Sequence, residues 1–188
     1  MLVLGIDPGT ANTGYGVVRG GGGTTPALIE CGVIRTRARE PLPARLREIY
    51  EGVIELIERH APDALCVEGV FYSRNVRTTV VLGHARGVIL LAAEQCGVLV
   101  NELAPAEIKK AVVGSGGATK DQVQFMLTRL LRLKSVPQPA DAADGVAAAL
   151  ACIMTAGIPR MDGGGNVREP SRATAAAALR ASPIIRRS

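Results

Sequence analysis

Leu2-Val3-Leu4-Gly5-Ile6-Asp7-Pro8-Gly9 is a short apolar run that closes on an acid and a turn. Its length and its Pro-Gly stop predict a buried strand ending at Asp7. Proline disfavours a helical conformation in the residue before it, so Asp7 is held extended. Ala64-Leu65-Cys66-Val67-Glu68 follows the same pattern, a buried strand closing on a carboxylate. If these two strands are adjacent and parallel, Asp7 and Glu68 meet at one edge of the sheet. Carboxylates at such a spot repel each other unless a proton or a cation intervenes. A third stretch, Ala140-Asp141-Ala142-Ala143-Asp144-Gly145, spaces two more acids i, i+3 on one helix face, with small neighbours that let the helix pack closely. Oxygen ligands of this number suit Mg²⁺ or Mn²⁺. Nothing nearby supplies the His or Cys that zinc prefers. Taken singly, Asp7 reads as a turn residue, Glu68 as a surface acid, and Asp141 or Asp144 as a helix N-terminal acid. Together the four read as a divalent-metal site for cutting nucleic-acid phosphodiesters.

Working outward, Gly14 to Arg19 predicts a second strand and Ala27 to Thr36 a third, with Gly20 to Gly23 as a hairpin tip between them. Residues 42–60 change to helical period, placing Leu42, Leu46, Ile49, Tyr50, Val53, Leu56 and Ile57 on one face. An apolar helix over 76–95 carries Gly83 and Gly87 one turn apart, which permits close approach of a sheet or a second subunit. Val98 to Leu103 predicts a fifth strand. Helices follow over 105–112, 119–133 and 140–156, the last stopped by Gly157 and Pro159. A three-stranded meander followed by β-α-β crossovers makes an α/β protein: a mixed five-stranded sheet with helices on both faces. Residues 1–158 are expected to form this domain. Residues 159–188, rich in Gly, Ala and Arg, are expected to be a basic, disordered tail.

Of 188 residues, 47% are hydrophobic but only 3% aromatic, so the core is built from Ala, Val, Leu and Ile. No stretch approaches the roughly 18 uninterrupted apolar residues that span a bilayer, and the start of the chain does not read as a signal peptide. The expectation is a soluble cytoplasmic protein. Cys31, Cys66, Cys96 and Cys152 are too scattered for a zinc or disulfide framework and read as small buried residues. The net charge is +5. Residues 160–188 hold six Arg against Asp162 and Glu169, and residues 70–134 hold nine Lys or Arg against four acids. A basic middle and a basic tail fit a polyanionic partner. Of the two histidines, His60 reads as a surface residue and His84 as part of the Gly83–Gly87 segment; neither is a candidate base. Phe125 reads as core.

Gly5-Ile6-Asp7-Pro8-Gly9-Thr10, Gly14-Tyr15-Gly16, Val67-Glu68-Gly69-Val70-Phe71, Gly83-His84-Ala85-Arg86-Gly87, Lys110-Ala111-Val112-Val113-Gly114 and Asp141-Ala142-Ala143-Asp144 run in order along the chain. This pattern resembles the RuvC family of Holliday-junction resolvases from residue 2 to about 157. The resemblance implies a ribonuclease H-like fold and a homodimer that nicks two opposite strands of a four-way DNA junction. It matches Asp7, Glu68, Asp141 and Asp144 to the family's catalytic, metal-binding carboxylates, holding two Mg²⁺ (or Mn²⁺) per subunit, with Asp7 the candidate bridge. It implies that Phe71 is a junction-opening wedge and that Lys109 and Lys120 contact DNA. Tyr72, Arg74 and Asn75, beside the wedge, are further candidate DNA contacts, and Lys110 lies next to the pattern. It also implies delivery of the substrate by a branch-migration helicase complex, RuvA and RuvB, with no membrane partner.

Two rivals remain at this level. Another ribonuclease H-like nuclease would share the carboxylates, though not the Phe71 segment. An ATP-binding protein of the actin and sugar-kinase type would share the Asp7-Pro8-Gly9 loop, but needs a duplicated domain for which 188 residues leave no room.

Overall fold

A computed structural model describes residues 1–69 and 76–156. The chain runs β1 (Leu2–Asp7), β2 (Asn12–Gly21), β3 (Thr24–Arg35), α1 (Leu42–His60), β4 (Ala64–Glu68), α2 (Val76–Gln95), β5 (Leu99–Leu103), α3 (Pro105–Val113), α4 (Lys120–Leu130) and α5 (Ala140–Thr155). The sheet order is β3-β2-β1-β4-β5, with β1–β2 and β2–β3 antiparallel and β1–β4 and β4–β5 parallel. The expected mixed sheet is therefore the observed one. The β2–β3 hairpin is tighter than its four glycines suggest. Only Gly22 and Gly23 lie outside the strands, at φ 63° and 78°. Positive φ at both central positions is the two-residue turn whose twist suits a hairpin.

The period-two alternation of the strands sorts side chains into two layers. Val3, Val18, Cys66 and Leu103 face one layer, where they pack with α3, α4 and α5. Leu4, Ile6, Val17, Leu65 and Val67 face the other, against Ile49 and Val53 of α1 and Ala85 and Ile89 of α2. Asp7 lies in step with Val3, and Glu68 in step with Cys66. Both acids thus project from the α5 side, one residue beyond the paired Ile6 and Val67. By length and composition α2 is, among the described residues, the one helix apolar enough to cross a membrane; its Ala85, Ile89, Ala92 and Ala93 stripe is buried inside the protein.

The contact between α5 and the β1–β2 pair is backbone against backbone. A Cβ added at Gly5 would overlap Gly145 O and Ala149 N, and one at Gly14 would overlap the Asp141 carbonyl. One added at Gly145 would sit 2.5 Å from Tyr15 Cα. Beside Gly145, Ala149 meets Gly5 and Val146 meets Gly16, and Ala142, Ala143, Ala147, Ala148 and Ala151 are buried around the helix. Three observations differ from the sequence reading. Phe125 is 57% exposed, because α4 turns Val123 and Leu127 inward and Phe125 away. His60 is not a free surface residue: its side chain is largely covered and pairs with Glu30 Oε2 at 2.9 Å, tying the end of α1 to β3. Cys31 is partly exposed, unlike the other three cysteines. Gly157 and Pro159, expected to stop α5, lie outside the described residues, as does the tail. At the end of α4, Arg132 takes the left-handed conformation at φ 52°. Its N–H donates to Arg129 O, and that of Leu133 to Thr128 O, closing the helix in a turn that usually holds glycine. A side chain there costs about 1–2 kcal/mol.

Gly14→Ala tests the close approach. The new methyl meets backbone that cannot rotate away, so the loss is expected at about 3 kcal/mol, the upper end for overpacking. For a domain of this size that is a fall in melting temperature of roughly 6–12 °C. An unchanged melting curve would show that α5 can step back from the sheet.

Candidate metal centre

Each acid is delivered by a different constraint. Asp7 ends β1 and leads into the turn at Pro8 to Ala11. That turn is pinned by Thr13 Oγ1 donating to Gly9 O (2.6 Å), Thr36 Oγ1 donating to Thr10 O (2.6 Å) and Arg45 Nε donating to Thr10 O (3.0 Å). Thr13 is the one fully buried polar side chain among the described residues. The Gly69 N–H donates to Leu103 O at 2.8 Å, holding the end of β4 against β5. Asp141 and Asp144 sit in the first turns of α5, brought to the sheet by the glycine contact.

The carboxylate oxygens of Asp7, Asp141 and Asp144 lie within 4.8 Å of one another, and all three residues are part-buried. Glu68 is not in this trio but is coupled to it by charge. Burial pushes the Asp7 carboxyl up to about 6, helped by the negative charges of Asp144 and Asp141 and opposed by Lys120. Burial likewise pushes Glu68 up to about 7, helped by Asp7 and Asp144 and opposed by Lys109 and Lys120. Lys120 Nζ donates to Asp144 Oδ2 at 2.7 Å. That bond raises the Lys120 ammonium above its ordinary value, against the opposing effect of burial. Lys120 reaches this position because Thr119 caps α4: the Gln122 N–H donates to Thr119 Oγ1 at 3.3 Å, and the Thr119 N–H to Gln122 Oε1 at 2.8 Å.

Of the residues singled out in the sequence, the fold brings Asp7, Glu68, Asp141, Asp144, Lys109 and Lys120 into one electrostatic neighbourhood. Lys110 is exposed on α3. Phe71, Tyr72, Arg74 and Asn75 lie outside the described residues. The pins Thr13, Thr36 and Arg45 went unread, since single polar residues in strands and helices carry no periodic signal. The donor set consists of oxygens only, and burial, helped by neighbouring negative charge, makes Asp7 and Glu68 hold protons above their ordinary range. Such a set fits a hard divalent cation.

The family model described as "Crossover junction endodeoxyribonuclease RuvC" matches residues 3–152. A relative of that name from Pelotomaculum thermopropionicum is 47% identical over 150 residues, covering 80% of this chain and 91% of its own. Another from Moorella thermoacetica is 50% identical over 151 residues, covering 80% and 89%. Among solved structures, "T. thermophilus RuvC in complex with Holliday junction substrate" superposes with a TM-score of 0.79 at 36% identity, covering 83% of this chain and 94% of that one. A yeast mitochondrial Holliday junction resolvase, at 15% identity and a TM-score of 0.60, shares the fold. With these matches the ATP-binding alternative and the wider set of ribonuclease H-like nucleases fall away, and the chain belongs to the RuvC family of crossover junction endodeoxyribonucleases.

Proposed function

We propose that this protein resolves four-way DNA junctions as a homodimer, cutting paired strands by metal-dependent hydrolysis with Asp7, Glu68, Asp141 and Asp144 as ligands. The single observation that carries this reading is the cluster of Asp7, Asp141 and Asp144 oxygens within 4.8 Å, beside a raised Glu68. Two Mg²⁺ or Mn²⁺ ions, when bound, make water a competent nucleophile and offset charge on the departing 3′ oxygen. Asp7 is flanked by Asp141 and Asp144 and coupled to Glu68, so it would be the candidate ligand common to both ions. Lys120 holds Asp144 in one orientation, and Lys109 and Lys120 supply the positive charge that draws a phosphate toward four acids. Hydrolysis adds water at phosphorus and breaks the bond to the 3′ oxygen, leaving 5′-phosphate and 3′-hydroxyl ends that can be rejoined.

Phe71, Tyr72, Arg74 and Asn75 follow β4 directly, and that position in the chain supports a role for them at the branch point, with Phe71 as the wedge. The basic segment 159–188 adds nonspecific DNA affinity. A branch-migration complex of RuvA and RuvB type delivers the junction, in the cytoplasm of a bacterium.

Dimerisation is supported by α2. Beside its buried stripe it carries exposed Val76, Val80 and Leu91, and a groove lined by Val80, Gly83, Gly87 and Leu91 with Leu46 of α1. A Cβ at Gly83 or Gly87 would meet nothing within 4 Å, leaving room for a second helix.

Asp7→Asn should keep junction binding and lose cutting by several orders of magnitude; full cleavage in a gel assay would remove Asp7 from the site. Leu91→Glu should shift the species seen by sedimentation from dimer to monomer and uncouple the two nicks, whereas a retained dimer would move the interface off α2. The raised carboxyls also set a pH dependence. Asp7 and Glu68 keep their protons to about 6 and 7 when folded, against 3.8 and 4.5 ordinarily. Between these values the folded chain holds protons that the unfolded chain has released, so this stabilisation is lost as pH rises. Metal-free protein should therefore melt lower at pH 8 than at pH 5, with Mg²⁺ restoring the loss at pH 8. A flat profile would mean that Asp7 and Glu68 are not buried beside like charges.

A further inference from the structure

The end of α4 carries a basic groove that the catalytic reading does not use. About 570 Å³ in volume, it is lined by Phe125, Thr128, Arg129, Arg132, Lys134 and Ser135, among others, and no carboxylate is among its lining residues. Phe125 is more than half exposed, and the Arg129 guanidinium lies over its ring at 5.3 Å from the centroid. A cation stacked on an aromatic face keeps its N–H donors pointing outward in a fixed fan. Arg132 occupies a left-handed helix-ending position where glycine fits with less strain, yet the residue there is a long cation. The one acid within α4 is Asp121, one turn before Phe125.

Asp121, Phe125 and Arg129 are exposed at four-residue spacing, so they form one stripe along α4. That stripe starts beside Lys120, which touches Asp144. Along α4, from Lys120 to Leu130, the rise is about 15 Å, with Arg132 just beyond. This is the length of roughly four to five nucleotides of a DNA strand. We infer that the groove formed by Phe125, Arg129, Arg132 and Lys134 is a second DNA-backbone contact, gripping the phosphates of a junction arm about five nucleotides from the cut. Arg129, Arg132 and Lys134 hold phosphates, and Phe125 fixes Arg129. The inference rests on the junction-nuclease reading and extends it to a residue set outside the carboxylate site.

The test measures binding of a four-way junction by fluorescence anisotropy in Mg²⁺ over a salt series, in the cleavage-deficient Asp7→Asn background. Combining Arg129→Gln, Arg132→Gly and Lys134→Gln should lower the slope of log affinity against log salt by about 2–3, at roughly 0.9 per lost phosphate contact. Affinity at moderate salt should fall about tenfold. Arg132→Gly alone should lower the slope by about 1 while melting no lower than its parent, because it removes a charge and relieves the left-handed strain together. Phe125→Leu should weaken binding less than loss of the cations. Arg47→Gln, an exposed side chain on α1, should leave the slope unchanged, separating a local contact from net charge. Normal melting with an unchanged slope and affinity in the triple variant would overturn the inference and leave the groove to a protein partner. Failure of the parent to bind a junction at all would overturn the junction reading itself, an outcome distinct from parent and variant binding alike.

Discussion

The site exists because α5 can touch the backbone of β1 and β2. A helix normally packs about 10 Å from a sheet, with a layer of side chains between, and at that distance Asp141 and Asp144 would not reach Asp7. Gly5, Gly14 and Gly145 remove that layer, and Ala149 adds only a methyl beside Gly5. The same helix has a second role, since it is buried on nearly every side and closes the core with α3 and α4. Stability and site geometry therefore depend on one interface. A protein interior is packed to the density of a crystal, so this interface cannot loosen gradually.

Holding four carboxylates together opposes folding, and the electrostatics of the site are the record of that opposition. Desolvation is the largest cause of the upward shifts at Asp7 and Glu68, with neighbouring carboxylates next. Lys109 and Lys120 offset part of it but cannot cancel four acids. Lys120 is committed to Asp144 by a direct hydrogen bond. The remaining negative charge opposes DNA phosphates, and on the proposed function bound cations would turn that surface from excluding the substrate to attracting it. That coupling follows from burial, with no moving part.

Much of this could be read from the chain. Two strand-end acids bounded by Gly and Pro, and an i, i+3 pair among alanines, are local signals, and the period-two rule then places Asp7 and Glu68 on one face of the sheet. The parallel pairing of β1 with β4 was conditional at the sequence level and is met in the fold. What stayed hidden depended on tertiary placement. Phe125 looks apolar within an amphipathic helix, but α4 offers only a narrow buried stripe through Val123 and Leu127, and a residue midway between them points out. His60 ends a helix, where a surface position is the natural reading. Its partner Glu30 is thirty residues away and also receives the Tyr15 hydroxyl at 2.8 Å. Gly5, Gly14 and Gly145 look like ordinary strand and helix glycines; their purpose is visible only when the two backbones are seen in contact.

On the proposed function, metal and fold are linked in both directions. A ligand that binds only the folded state stabilises it in proportion to the logarithm of its concentration over its dissociation constant. Residues 7, 68, 141 and 144 converge only in the folded chain, so the unfolded chain offers no comparable site. On the proposed function, each cation held there would stabilise the α5–sheet contact, and each defect in that contact would weaken the cation. The turn pinned by Thr13, Thr36 and Arg45 belongs to the same balance, because it fixes Asp7 against the repulsion of its neighbours before any ion arrives. Preorganisation of this kind places the electrostatic penalty in the folding of the chain, so that it is not met again at the moment a phosphodiester is bound.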